Sequence, residues 1–230
     1  MFRFRLWFAA VILSALGIWL AGRSHEARAQ RRCVGEIQRS GGRVYYDYAA
    51  CRGSIPAGAS PYSRLLVRLC GDDFLHNVIR IDLPAGADGI DLDTLRSVEM
   101  VVLHGDGVDD DDVRAIAGLR QLRHLKIVSH QRNGRFRRTK ISDKSLALIG
   151  QLPSLETVAV EGRGLSPEGV NLLLRAPRLQ SARIHGVDWS DFTAFEVPHN
   201  VRLEISRIEI GSWWAGPTFE DKRYCVVGSH

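Results

Sequence analysis

VEMVVL (Val98–Leu103) and LRHLKI (Leu122–Ile127) share one spacing, apolar-x-x-apolar-x-apolar, and begin 24 residues apart. LETVAV (Leu155–Val160) follows after 33 residues and LQSARI (Leu179–Ile184) after 24 more, so 33 is the same period carrying a nine-residue insertion. A degenerate first copy begins at Val78 and continues with Ile81 and Leu83. Alternate apolar residues give each copy the period of a strand with one buried face. Self-similarity at a fixed period of this size marks stacked structural units.

A second signal runs in phase with the first. After each strand comes an apolar residue, then Ser or Asp, then an apolar residue five positions from the first. The instances are Ile90-Asp91 to Leu95, Val108-Asp109 to Val113, Ile141-Ser142 to Leu146, Leu165-Ser166 to Val170 and Val187-Asp188 to Phe192. Ser and Asp at that place are good helix N-caps. Helical apolar spacing follows three of them, at Val113, Ile116 and Leu119, at Leu146, Ile149 and Leu152, and at Val170, Leu173 and Leu174. The predicted unit is strand, loop, capped helix. Right-handed stacking of such units puts parallel strands on one side and helices on the other.

With that unit on a 24-residue period, the chain resembles a leucine-rich repeat domain of the ribonuclease-inhibitor-like kind. An apolar N-terminal segment, GGRVYYDY (Gly41–Tyr48) and RLLVRLCGDDFLHNVIRIDL (Arg64–Leu83) narrow this to a group of membrane-anchored bacterial repeat proteins typical of planctomycetes. The resemblance implies an α/β solenoid with short parallel strands on a concave side, helices on a convex side, an N-terminal cap and an N-terminal transmembrane or signal helix. It transfers topology and little chemistry. The ninth repeat position, often Asn or Thr in such proteins, is Asp106, His130, Arg163 and Val187 here, so no regular ladder is expected at that position.

Domain limits follow: residues 1–25 as signal-anchor, 26–75 as juxtamembrane helix and N-terminal cap, 76–210 as repeats, and 211–230 as a C-terminal cap or tail. Leu6–Gly22 is 17 residues without a charge. That length lies between a signal-peptide core and a full span. Trp7 and Trp19 near its ends favour an anchor, whereas Ala27-Arg28-Ala29 offers a cleavage site and so a secreted product. Four arginines after the segment, against two before it, place the repeats in the cytoplasm; the signal-like layout argues for export. A stack of parallel strands has an open edge that must be covered. GGRVYYDY, with a short helix around Val34 and Ile37, reads as that cover; a tyrosine ligand platform is the alternative. At the other end VRLEISRIEI (Val201–Ile210) reads as one or two strands, with Trp213, Trp214, Phe219 and Tyr224 available as a cap or a docking patch.

The net charge of +5 does not describe the repeats. Residues 1–32 hold six arginines against Glu26, so residues 33–230 sum to zero. A general nucleic-acid footprint is therefore not supported. Cys33, Cys51, Cys70 and Cys225 lack metal-ligand spacing and are open to either disulfides or buried thiols. Asp109–Asp112 reads as an N-cap and first helical turn, without a glycine-spaced calcium loop. His104, His124 and His185 project from different strands, too far apart to share one zinc without rearrangement. No nucleophile elbow, Ser/His/Asp set or phosphate-binding glycine loop is present, so no catalytic residue, cofactor or metal is assigned.

What remains is a binding surface. The exposed strand positions are Met100, Val102, His104, His124, Lys126, Val128, Thr157, Ala159, Glu161, Ser181, Arg183 and His185. The insertion SHQRNGRFRRTK (Ser129–Lys140) adds Arg132, Arg135, Arg137, Arg138 and Lys140 at the rim, with Phe136 as its anchor. The expectation is a membrane-tethered, non-catalytic interaction module with a protein partner, and an anionic partner or lipid at the insertion. The rivals are a self-associating structural envelope protein and an enzyme whose site no motif reveals.

Overall fold

A computed structural model describes residues 2–47, 71–87, 89–105, 107–129, 131–132, 135–136, 139–187, 195, 197–206 and 224–226. It is an α/β structure around one mostly parallel sheet. Strands β1 (Arg43–Tyr46), β2 (Val78–Pro84), β3 (Met100–His104), β4 (His124–Val128), β7 (Thr157–Leu165), β8 (Ser181–Val187), β9 (Arg202–Ser206) and β10 (Tyr224–Val226) lie side by side in that order. From β2 to β9 every pairing is parallel. The two outer strands, β1 and β10, pair antiparallel to their neighbours. The remaining two strands, β5 (Gln131–Arg132) and β6 (Arg135–Phe136), form a separate antiparallel hairpin.

Every apolar residue of the strand motif is buried, including Val98, Val101, Leu103, Leu122, Leu125, Ile127, Leu155, Val158 and Val160. The units stack in register even across the insertion: Leu125 faces Val158 and Ile127 faces Val160. A backbone column runs through the entry to each strand. Arg123 N–H donates to the Glu99 carbonyl, Glu156 N–H to Arg123, Gln180 N–H to Glu156 and Arg202 N–H to Gln180, each at 2.8 Å.

Strands β3, β4 and β7 return through short capped helices: α3 (Asp110–Ile116), α4 (Asp143–Ile149) and α5 (Pro167–Leu173). Asp109, Ser142 and Ser166 are their N-caps, as expected, and Asp91 caps a 3-10 turn at Leu92–Thr94. Asp188 and Phe192 lie outside the described residues. Helices of seven residues are unstable by themselves. These are held by Val113, Ile116, Leu146, Ile149, Val170 and Leu173, all buried against the sheet.

The N-terminal side differs from the expected layout. The short helix around Val34 and Ile37 and the apolar segment are one helix, α1 (Phe2–Arg39), which passes through residue 25 without a break. Ala27, Cys33, Val34 and Ile37 of its second half are buried in the core. The chain turns at Gly41, whose φ of 87° suits glycine. At Gly42 an added Cβ would stand 2.8 Å from the Asp82 carbonyl oxygen. The tight turn lays β1 along the open edge of β2, with Val44 and Tyr46 packed on the core. Arg43–Tyr46 of that stretch thus occupies the edge that GGRVYYDY was expected to cover. Tyr48, Cys51, Cys70, Trp213, Trp214 and Phe219 lie outside the described residues.

Candidate functional site

The sheet face opposite the core carries three rows of side chains, set by register. One row runs Arg80, Met100, His124, Thr157, Ser181, Arg202. The middle row runs Asp82, Val102, Lys126, Ala159, Arg183, Glu204. In the third, His104 is followed by Val128 on β4, while Glu161 on β7 is followed by His185. Met100, Val102, Val128 and Ala159 are all half-buried. They give the centre of the face small apolar relief between polar ends.

The acids of this face are already engaged. Asp82 accepts from Arg80 Nε at 2.9 Å and from the Tyr45 hydroxyl at 3.1 Å. The Arg80–Asp82 bond holds the Arg80 guanidinium above its ordinary pKa, against a smaller opposing effect of burial. Glu204 accepts from Arg183 Nε at 2.8 Å and lies 2.9 Å from Arg202 Nη2. Glu161 accepts from the Ser129 hydroxyl at 2.7 Å and the Ser129 N–H at 3.1 Å, while its carbonyl takes a bond from the Thr139 hydroxyl. Glu161 is therefore the clasp at the base of the hairpin, a role its expected place among the partner contacts did not anticipate.

Other expected contacts are also internally paired. The His124 ring Nδ1 lies 2.6 Å from the Thr157 hydroxyl. His104 and His185 stand three strand steps apart, roughly 14 Å at ~4.8 Å per step, with the residues of β4 and β7 between them. No three His, Cys, Asp or Glu side chains among the described residues are grouped to hold a metal ion. Lys126 is different. It is exposed, and among the described residues it makes no ion pair. Arg132 and Arg135 face each other in register across the hairpin; Arg137 and Arg138 lie outside the described residues.

The tyrosines of β1 are not presented as a platform. The Arg80 guanidinium sits 4.8 Å from the centre of the Tyr45 ring. Tyr46 packs on the core and its hydroxyl donates to the Asp73 carboxylate at 2.8 Å. Asp73 also accepts from Arg31 Nε at 3.3 Å and Gln30 Nε2 at 3.4 Å. Arg23 Nε donates to the Phe74 carbonyl at 3.2 Å. These bonds join α1 to α2 (Asp72–Leu75) and to β1. The buried His76 ring completes the junction, 2.7 Å from Asp47.

Asp109–Asp112 proves to be three structural carboxylates and one surface carboxylate. Asp109 caps its own helix, accepting from Asp111 N–H at 3.0 Å, and Asp112 closes the capping box by accepting from Asp109 N–H at 3.1 Å. Asp112 reaches back to the preceding unit, accepting from Gly86 and Ala87 N–H at 3.0 Å. Burial pushes its carboxyl above the ordinary range despite these bonds. Asp110 reaches forward, accepting from Ser142 N–H at 2.9 Å, Ser142 Oγ at 2.6 Å, and Ser145 Oγ. Asp111 pairs with Arg114 at the surface. Asp143 repeats the forward bond to Ser166 N–H at 3.0 Å. This ladder lies one residue inside the helices, not at the ninth repeat position.

Sequence reasoning did not read β5 and β6 as paired strands, although Asn133-Gly134 is the strongest two-residue hairpin signal. It also missed the forward ladder, whose signal is an Asp immediately after the N-cap in two successive units. No protein-family model, curated protein or solved structure matches this chain.

Proposed function

We propose that this chain is a membrane-tethered interaction module of the leucine-rich repeat kind, without catalytic chemistry, that offers the open face of its sheet to a protein partner. The observation that carries the reading is the division of α1 into two unlike halves. The exposed large apolar side chains recorded among the described residues fall between Trp7 and Leu20, with Ile18 76% and Trp7 66% exposed. A patch of that kind marks a surface that something else covers. The other half of the same helix puts Ala27, Cys33, Val34 and Ile37 into the core.

Among the described residues no helix is long and apolar enough to cross a membrane. The side chains of Leu6 and of Phe8–Ala10, at the start of the uncharged segment, are not among those described. The 17 uncharged residues Leu6–Gly22 make ~25 Å of helix at ~1.5 Å per residue. A bilayer core is about 30 Å thick, so a slightly thinned or snorkelled span suits the segment. For the binding role, the support is a frame whose backbone repeats while its open-face residues change from strand to strand.

The test is fractionation of the full chain. Retention in the membrane pellet after carbonate extraction, with an intact N-terminus by mass spectrometry, is the expected result. A soluble product beginning at Gln30 would overturn the tether.

A further inference from the structure

We infer that the open sheet face, centred on Lys126 and continued by the β5–β6 hairpin, docks an acidic segment of a polypeptide partner. The inference rests on the proposed binding role and gives it a chemistry. The first ground is charge accounting on the face. Asp82, Glu161 and Glu204 are each taken up by a donor of this chain. Arg80 and Arg183 are consumed in the same pairs. Both ends of the middle row are thereby neutralised internally, and Lys126 at its centre is exposed and makes no ion pair among the described residues.

The second ground is placement. The hairpin follows directly from β4, the strand that carries Lys126. Its two flanks are clasped to one residue of the next strand, Ser129 to the Glu161 carboxylate and Thr139 to the Glu161 carbonyl. Arg132 and Arg135 form one rung of that hairpin. The face therefore ends in a cationic arm with a fixed base. The third ground is the flanks of Lys126 in its row, Val102 and Ala159, which are half-buried and small. They suit a side chain laid against the sheet.

A polypeptide fits these three features better than other anions. A bilayer surface offers no extended chain to lay side chains against the apolar positions beside Lys126. A nucleic acid needs a broad run of cations, and this face alternates paired charges with apolar residues. From β3 to β9 there are four strand steps, ~19 Å, which about six extended residues span.

The experiment uses the full chain in phosphatidylcholine nanodiscs and a fluorescein-labelled peptide of about ten residues alternating Glu and Ala, long enough to cross the rows. Fluorescence anisotropy is measured at about 50 mM and about 500 mM salt. The parallel probes are the Lys-Ala peptide, oligo-thymidylate, and vesicles containing phosphatidylserine. The acidic peptide should bind, the basic one should not, and affinity should fall at high salt. Lys126→Glu should weaken binding about tenfold, and Arg132→Ala with Arg135→Ala by a similar factor. Arg183→Ala, at an internally paired position, should change it less than about twofold. Lys126 makes no ion pair among the described residues, so an unchanged melting curve will show that the variant is folded. Failure of the acidic peptide to bind at low salt, or equal binding by Lys126→Glu, would overturn the inference. So would tighter binding of oligo-thymidylate or of the anionic vesicles through the same residues. None of these outcomes alters carbonate extraction of the parent, which tests the tether separately.

Discussion

Asp110 and Asp111 are neighbours in the first turn of α3, and the structure assigns them very different energies. Both carboxylates meet the same helix dipole, worth about 0.3–1 kcal/mol at a surface. Asp110 additionally holds Ser142 N–H, Ser142 Oγ and Ser145 Oγ of the next unit. Hydrogen bonds to a charged group are worth about 1.5–3 kcal/mol, and stranding a buried donor costs about 1–3 kcal/mol. Ser145 is fully buried, so water does not replace its lost acceptor. Asp110 itself is half-exposed, which discounts the remaining bonds. Asp110→Ala should therefore cost about 2–3 kcal/mol. For a chain of this size that lowers Tm by about 4–12 °C. Asp111→Ala removes only an exposed pair with Arg114 and should cost less than about 1 kcal/mol.

The assay is urea and thermal denaturation of the full chain in detergent, followed by circular dichroism. A pH series adds a second check. Burial raises the Asp110 carboxyl, but its bonds from Ser142 and Ser145 outweigh this and leave it below the ordinary value. A lowered folded value means the stabilisation is complete above the unfolded pKa and fades as pH falls through the folded one. The gap between parent and Asp110→Ala should thus close in acid. Equal losses from the two substitutions, or a loss below about 0.5 kcal/mol for Asp110→Ala, would show that only the dipole matters and that the forward ladder carries no weight.

Ser166→Ala should cost about 1 kcal/mol in the same assay, because the hydroxyl accepts from Gly169 N–H at 3.1 Å. Gly150→Ala should destabilise by about 1–3 kcal/mol, since a Cβ there collides with the Leu172 carbonyl of the neighbouring helix. Ile37→Ala should cost about 2–5 kcal/mol and release the second half of α1 to protease, a result that a merely peripheral helix would not give. Burial pushes the Cys33 thiol up to about 11. Peptide mapping after brief alkylation at neutral pH should therefore find Cys33 unmodified in the folded chain and modified in denaturant.

The strands and caps were legible in the sequence because their signals are local. Leu122, Leu125 and Ile127 point inward by spacing, and Ser142 and Ser166 cap by side-chain chemistry. The second half of α1 was not legible as a continuous helix. Its stripe is Arg23, Ala27, Gln30, Val34 and Ile37, a spacing of four and three, but two of its members are polar. What ties those two to the rest of the fold is distant in sequence, Phe74 and Asn77 for Arg23, and Asp73 with the His76 carbonyl for Gln30. A hydropathy reading has no access to such partners. The same limit hid the roles of Glu161 and Asp110. Each looks like a surface charge in its own unit and becomes structural only when the next unit is stacked on it. Lys126 was legible as an exposed strand residue. That its face retains no uncommitted acid among the described residues required the ion pairs.

The continuity of α1 bears on how the sheet face is presented. A tether and a binding domain joined by a flexible linker sample many orientations, and the linker sets an effective concentration rather than a direction. Here the apolar end and the cap share one helix, and the helix is fixed to the sheet by Ile37 in the core and by Arg23, Gln30 and Arg31 on α2 and the chain entering β2. From Gly22 to Ile37 is ~22 Å at ~1.5 Å per residue. On the proposed tether, the first edge of the sheet stands within that distance of the headgroups, and α1 runs to it without a break. Rotating the face would require breaking the junction around Asp73, where Tyr46, Gln30 and Arg31 converge. The orientation of the proposed binding face is then a property of the cap. This gives a functional reason for spending so many charged and aromatic side chains on an edge that a single capping strand already covers.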